Sequence, residues 1–177
     1  MMPGSNARES TLGQGMLWLA AIVLLLGFTW LFQSFIPGTG KMLSGEDESG
    51  RAMVILQQDR SGHYFAEGYV NGQPVQFLVD TGATDVAISE ATARSLGIEF
   101  GPRIRVQTAA GPVGAWLARL DSVAVGGLRL ENVRATITPG LGEQALLGMS
   151  FLRNFTIRQD GEQLIIAHPI TESGTDA

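Results

Sequence analysis

The chain contains no cysteine, a single lysine and two histidines in 177 residues. Lack of cysteine removes disulfides and thiolate zinc sites, and a domain of this size can bury its core without such staples. Lys41 is the sole lysine and follows no long glycine-rich phosphate loop, which excludes a P-loop nucleotide enzyme. His63 and His168 lie far apart, without the spacing or the clustered carboxylates of a catalytic metal centre, so neither a metal nor another cofactor is expected. The formal net charge of -5 and the thin spread of basic residues argue against a nucleic-acid partner, because phosphate binding draws on clustered Lys and Arg. A serine-hydrolase elbow is also missing: Gly148-Met149-Ser150-Phe151-Leu152 lacks the closing glycine.

What the chain does have begins with an apolar run. After a short tail, residues 1–15, the segment 16–36 reads MLWLAAIVLLLGFTWLFQSFI and carries no charge. Coiled as a helix, about twenty such residues match the hydrocarbon thickness of a bilayer, and Trp18 and Trp30 sit toward the two ends, where amphipathic rings favour the headgroups. The run is long for a signal-peptide core and Ser34-Phe35-Ile36-Pro37-Gly38 is no small-x-small cleavage site, so an uncleaved single-pass anchor is favoured over a signal peptide. The short N-terminal tail favours an N-inside orientation, which in a bacterium places the following domain in the periplasm, held at the inner membrane. Residues 37–50 are rich in Gly, Ser and acids without apolar periodicity and read as a linker.

From Arg51 to Ile170 the sequence reads as one domain of short strands punctuated by turn residues, and residues 171–177 as a disordered tail. Strands are expected at Ala52–Gln57, Tyr64–Val70, Val75–Val79, Arg103–Thr108, Val113–Ala118, Ser122–Val125 and Val133–Ile137. A closing hairpin pairs Phe155–Arg158 with Leu164–Ala167. One helix is expected from Ser89 to Leu96, capped by Ser89 and stopped at Gly97. The fold class is therefore all-β with a short internal helix.

Asp80 is the residue that asks for an explanation. It ends an apolar strand and is followed at once by Thr81-Gly82, so a carboxylate is delivered from a buried strand onto a tight turn. A carboxylate in such company is costly unless it finds a partner. Gly82 permits close backbone approach and offers its N–H, and the Thr81 hydroxyl can bond backbone or a neighbouring chain. Asp-Thr-Gly alone is common at strand ends. Its setting here is more specific: Phe77-Leu78-Val79 before it, Ala83-Thr84 after it, then a second apolar strand Val86-Ala87-Ile88.

In this setting the sequence resembles the retroviral-type, or retropepsin-like, aspartic proteases, and more closely their bacterial single-domain, membrane-tethered branch. The resemblance extends over most of the chain beyond Arg51. Ala145-Leu146-Leu147-Gly148-Met149 resembles the family's two-hydrophobics-then-glycine element, which packs beneath the catalytic loop and leads into a short helix, here Met149 to Arg153. Between the two markers, Thr108-Ala109-Ala110-Gly111 stands where the family carries its flap. Trp116 is a candidate flap aromatic that equally suits a core position.

The resemblance implies a retropepsin-like barrel and an aspartic endopeptidase acting on polypeptide. Asp80 would be the catalytic residue, Thr81, Gly82, Ala83 and Thr84 the active-site loop, Thr108 to Gly111 the substrate-covering flap, and Leu146, Leu147 and Gly148 the packing beneath. Only one Asp-Thr-Gly is present, whereas this chemistry uses two carboxylates sharing a proton, so a homodimer is expected. Asp85 is expected to be solvated or ion-paired rather than the second carboxylate. By the same resemblance, the terminal strand Leu164–Ala167 is expected at the dimer seam. The alternative is a membrane-anchored module on the same fold that binds peptide or dimerises without cutting it.

Overall fold

The computed structural model describes residues 41–108 and 111–169. The expected transmembrane run 16–36, the flap-tip residues Ala109 and Ala110, and the tail 171–177 lie outside the described residues. Among those described, no helix is long and apolar enough to cross a membrane.

The strands are β1 (Met42–Glu46), β2 (Ala52–Gln57), β3 (Phe65–Val70), β4 (Gln73–Val79), β5 (Val86–Ser89), β6 (Arg103–Thr108), β7 (Gly111–Val125), β8 (Leu128–Thr138), β9 (Ala145–Leu147), β10 (Thr156–Asp160) and β11 (Gln163–Ala167). Two short helices join them, α1 (Glu90–Ser95) and α2 (Met149–Leu152). The architecture is the expected all-β one.

Six strands close on themselves. β3, β4, β9, β5, β8 and β7 are neighbours in that order, and β7 pairs back onto β3 through Gly68↔Val125 to Val70↔Val123, so no edge is left in this ring. β6 hangs on β7 alone. The barrel is filled by Phe77, Ile88, Leu120, Ile137, Leu147, Phe151 and Leu152, all fully buried. Burying a Leu, Ile or Phe side chain contributes roughly 1.5–3 kcal/mol, which makes this cluster the main source of stability. α1 begins where Ser89 accepts a hydrogen bond from the Thr92 N–H at 3.0 Å and ends just before Gly97, as its residues predict.

The remaining strands form a four-stranded antiparallel sheet in the order β1-β2-β11-β10. Its inner face contributes Val54, Leu56, Leu164 and Ile166 to the core.

Three expectations need correction. Residues 37–50 are not wholly linker: Met42–Glu46 pairs in full register with Ala52–Leu56, and Asp47 fastens the turn by accepting from the Ser49 and Arg51 N–H groups. Val113–Ala118 and Ser122–Val125 are one strand, β7, because Arg119 and Asp121 are outward-facing strand residues rather than a turn. The terminal strand Leu164–Ala167 is no free seam: β11 is paired on one side with β2 and on the other with β10. Both its edges are consumed within the chain.

Candidate active site

Asp80 follows directly on β4. Its backbone N–H donates to the Leu147 carbonyl at 3.2 Å, extending the parallel pairing of β4 with β9 past Val79↔Leu147. The chain then turns sharply, with the Ala83 N–H donating to the Asp80 carbonyl at 3.2 Å. Within this turn the Gly82 N–H donates to Asp80 Oδ1 at 2.8 Å. One carboxylate oxygen is thereby held by the backbone. Asp80 is half-buried, whereas Thr81, Gly82 and Thr84 are exposed. Among the described residues the Thr81 hydroxyl makes no hydrogen bond.

β9 fits between the strands that enter and leave this loop, parallel to β4 and antiparallel to β5 at Ala87↔Leu146. Gly148 comes next, and its smallness is required. A Cβ there would lie 2.1 Å from the Asp85 carbonyl oxygen and 2.8 Å from that of Ala83. That close approach lets α2 dock on the loop: the Met149 N–H donates to the Ala83 carbonyl at 2.8 Å and the Ser150 N–H to that of Thr84 at 2.9 Å. Leu147 and Gly148 are buried under the loop, while Leu146 points to the other face of the sheet and is half-buried. The Asp-Thr-Gly segment and the Leu-Leu-Gly element, distant in sequence, are brought together as the pattern predicts.

Two residues that sequence reasoning passed over complete the support. The buried Ser150 hydroxyl accepts from the Val86 N–H at 2.9 Å and donates to the Arg134 carbonyl at 2.7 Å, which ties the loop exit to β8. Arg134 Nε donates to Asp85 Oδ1 at 2.7 Å, and that carboxylate is only 11% exposed. Asp85 is thus ion-paired, as expected. A lone serine in the apolar stretch Ala145–Leu152 was the available signal for Ser150; nothing local to Arg134 marks it.

The candidate flap is a hairpin of β6 and β7 with Thr108↔Gly111 as its last pair. The Thr108 hydroxyl donates to the Gly111 carbonyl at 2.7 Å, and Gly111 has φ +112°, a conformation only glycine adopts readily. β7 joins β8 from Trp116↔Ile137 onward, so Gly111 to Ala115 pair with β6 alone and project as a two-stranded ribbon. Ile104, Val106, Val113 and Ala115 share one face of it, and Arg103, Arg105 and Gln107 the other. Trp116 sits at the ribbon's base, edge-on to Phe100 at 5.3 Å and beneath the Arg103 guanidinium, so it is a hinge-end packing residue rather than a tip aromatic. Among the described residues no three His, Asp or Glu side chains cluster as metal ligands would.

These features agree with what known proteins show. The family model described as "gag-polyprotein putative aspartyl protease" matches residues 66–154. An uncharacterized protein in the cobV 5′ region of a Sinorhizobium species is 32% identical over 133 residues, 73% of this chain and 56% of its own length. An uncharacterized protein of Rickettsia prowazekii (strain Madrid E) is 32% identical over 117 residues, 64% of this chain and 50% of its own. The chain spans about half the length of the curated relatives it matches. Among solved structures, a retropepsin-like aspartic protease from Rickettsia conorii superposes with a TM-score of 0.57 at 29% identity, covering 73% of this chain and 95% of that one. The chain belongs to the retropepsin-like aspartic protease family.

Proposed function

We propose that the chain is an aspartic endopeptidase whose site is completed by a second copy, Asp80 of each contributing one carboxylate of a proton-sharing pair. The observation that carries this is the placement of Asp80. A lone carboxylate is delivered at the end of β4, a strand paired on both sides with β3 and β9, with one oxygen fixed by the Gly82 N–H and the loop around it exposed. Two such carboxylates side by side retain one proton, because like charges about 3 Å apart resist joint ionisation.

In the step this supports, the ionised carboxylate takes a proton from a water whose oxygen attacks the peptide carbonyl carbon. The protonated carboxyl gives its proton to the carbonyl oxygen, and the resulting diol collapses with cleavage of the C–N bond as the nitrogen is protonated. The backbone seats around Asp80 hold the carboxylates in place, and the ribbon 103–115 closes over an extended polypeptide. We further place residues 16–36 in the inner membrane as a single-pass anchor, with the domain on the periplasmic side; the uncharged run of membrane-spanning length supports the anchor. Extraction of the chain from membranes by alkaline carbonate would contradict the anchor.

The experiment for the peptidase is cleavage of an unfolded protein by the full chain and by its Asp80→Asn form. The variant should fold and not cut. Turnover by the purified variant would overturn the reading.

A further inference from the structure

The register of β3 on β4 runs past the strand ends to Asp80. Phe65 pairs with Leu78, and one step further the Val79 N–H donates to the Tyr64 carbonyl at 2.9 Å. The next pair in this register is His63 with Asp80. Their backbones have the form of a non-hydrogen-bonded pair, each turning its polar groups away from the other. The His63 N–H donates to Asp59 Oδ1 at 2.8 Å and its carbonyl accepts from the Asp59 N–H at 2.8 Å, while the Asp80 N–H is spent on Leu147 and its carbonyl on Ala83. In a regular ladder the side chains of such a pair share one face and stand close, with Cα atoms about 4.5 Å apart. The His63 ring lies on that face, meeting the ring of Phe65, two residues on, edge-to-face at 6.5 Å.

The other face of β4 carries the core residue Phe77. On the face of Asp80, β3 brings Phe65 and Glu67, β4 brings Gln76 and Leu78, and β9 brings Gln144 and Leu146. The last four line one groove, and Gln144 Nε2 donates to Gln76 Oε1 at 3.0 Å. Glu67 and Asp80 are the charged residues here and both are acidic, so His63 is where this face of the three strands gains a positive charge. The other charged groups around His63 are Asp59 and Arg60 on its own turn and Glu162 on the neighbouring hairpin. Asp59 is occupied, accepting from the Ser61 and His63 N–H groups and from the Ser61 hydroxyl, and Glu162 accepts from Gln57. His63 itself is exposed.

We propose that His63 sets a charge preference for the polypeptide: protonated, it favours an Asp or Glu side chain within two residues of the cut bond, and the preference is lost when the imidazole is neutral. This rests on the proposed peptidase reading, in which Asp80 marks the cut bond. Extended polypeptide rises about 3.3 Å per residue, so a group one strand away from Asp80 meets the side chain one or two residues from that bond. A protonated imidazole presents two N–H donors and no acceptor, which suits a carboxylate. Without that charge the face holds only acids, which repel another. Imidazole gains and loses its charge between about pH 5 and pH 8, so the preference belongs to the acid side of that range. With a second copy in place, one His63 stands on each side of the bond.

The test offers a pool of randomised peptides to the full chain in mild detergent, at about pH 5.5 and about pH 8, and reads the residues flanking each cut by mass spectrometry. The native chain should show Asp and Glu enriched about two- to fivefold near the cut at the lower pH, as an exposed ion pair allows, and no enrichment at the higher. His63→Arg should keep the enrichment at both pH values and His63→Gln should lose it at both, each with the native unfolding midpoint. In a second arm the Asp80→Asn chain, alone and combined with each His63 variant, is given the same pool, and the peptides it retains are sequenced. They should show the same enrichment with the same dependence on pH and on His63. Enrichment that persists in His63→Gln, that ignores pH in the native chain, or that is absent at the lower pH would overturn the assignment. Should His63→Gln fail to fold, His63→Arg decides: no enrichment at the higher pH sinks the proposal. A native chain that cuts nothing, or cutting that survives Asp80→Asn, would end the peptidase reading, while the retained peptides still judge His63.

Discussion

The Asp80 loop and the ribbon 103–115 are fastened in opposite ways. Around Asp80, successive backbone groups are bonded to segments more than sixty residues away: Asp80 to Leu147, Ala83 to Met149, Thr84 and Val86 to Ser150. Among the described residues, the ribbon from Ile104 to Ala115 pairs β6 with β7 alone, and Gly111 begins β7 at φ +112°. Elements held by long-range buried contacts open at close to the global unfolding energy, while a self-paired ribbon opens at far less. On the proposed reading, a carboxylate that meets a counterpart from a second copy belongs on the first kind of element, and a cover that admits a polypeptide belongs on the second.

Glycine substitutions sharpen this contrast most. Gly148→Ala sets a methyl group 2.1 Å from the Asp85 carbonyl oxygen, so the loop or α2 must shift. Overpacking of that kind should cost about 3 kcal/mol in denaturant unfolding and abolish cleavage. Gly114→Ala on the ribbon meets nothing closer than the Arg103 side chain at 3.7 Å and should stay within about 0.5 kcal/mol of the native chain. Equal effects at the two positions would break the comparison. Ser150→Ala comes next. It leaves the Val86 N–H and the Arg134 carbonyl without their buried partner, and should destabilise by about 2 kcal/mol, with a fall in kcat larger than any change in KM.

Gly111→Ala forces a side chain into φ +112°, a strain of about 1–3 kcal/mol that the ribbon can shed by opening. Global stability should therefore change little while KM rises, and amide exchange at Ile104–Thr108 should quicken, with no such change at Phe77–Val79. The smallest effect concerns acid. The Arg51 side chain and the Arg51 and Ser49 N–H groups hold the Asp47 carboxyl below its ordinary 3.8. A carboxyl depressed in the folded state stabilises above its unfolded value, and that stabilisation is lost as pH falls through the lower folded value. Exchange at the β1–β2 turn should thus rise below pH 3.8 before the barrel is affected, and Asp47→Asn should remove the step.

How far the sequence could be read follows the same division between local and distant causes. Ser89 as a cap, Gly97 as a stop and Asp-Thr-Gly at the end of an apolar strand are local signals, and the structure places each where its residues predict. The pairing of the Asp80 loop with the Leu-Leu-Gly element was legible through family resemblance, not through local chemistry. β1 was missed because Met42–Glu46 contains a glycine and is exposed at every residue but Met42, so it shows no alternating pattern, and its strand character comes from pairing with β2. The unity of β7 was missed because Arg119 and Asp121 resemble a turn when the sheet around them is unknown. Arg134 and Ser150 act through contacts fixed only by the fold. That Leu164–Ala167 is paired on both sides within the chain has the same origin: which strand edges are taken up is a property of the whole sheet order.

The claim that each chain carries half a site is tested most directly by mixing native chain with Asp80→Asn chain at constant total concentration and allowing the copies to exchange. If catalysis needs both carboxylates, only native pairs cut, and activity falls as the square of the native fraction, to about one quarter when half the chains are variant. A linear fall, with half the activity retained at that point, would show that each chain acts alone and would contradict the shared site.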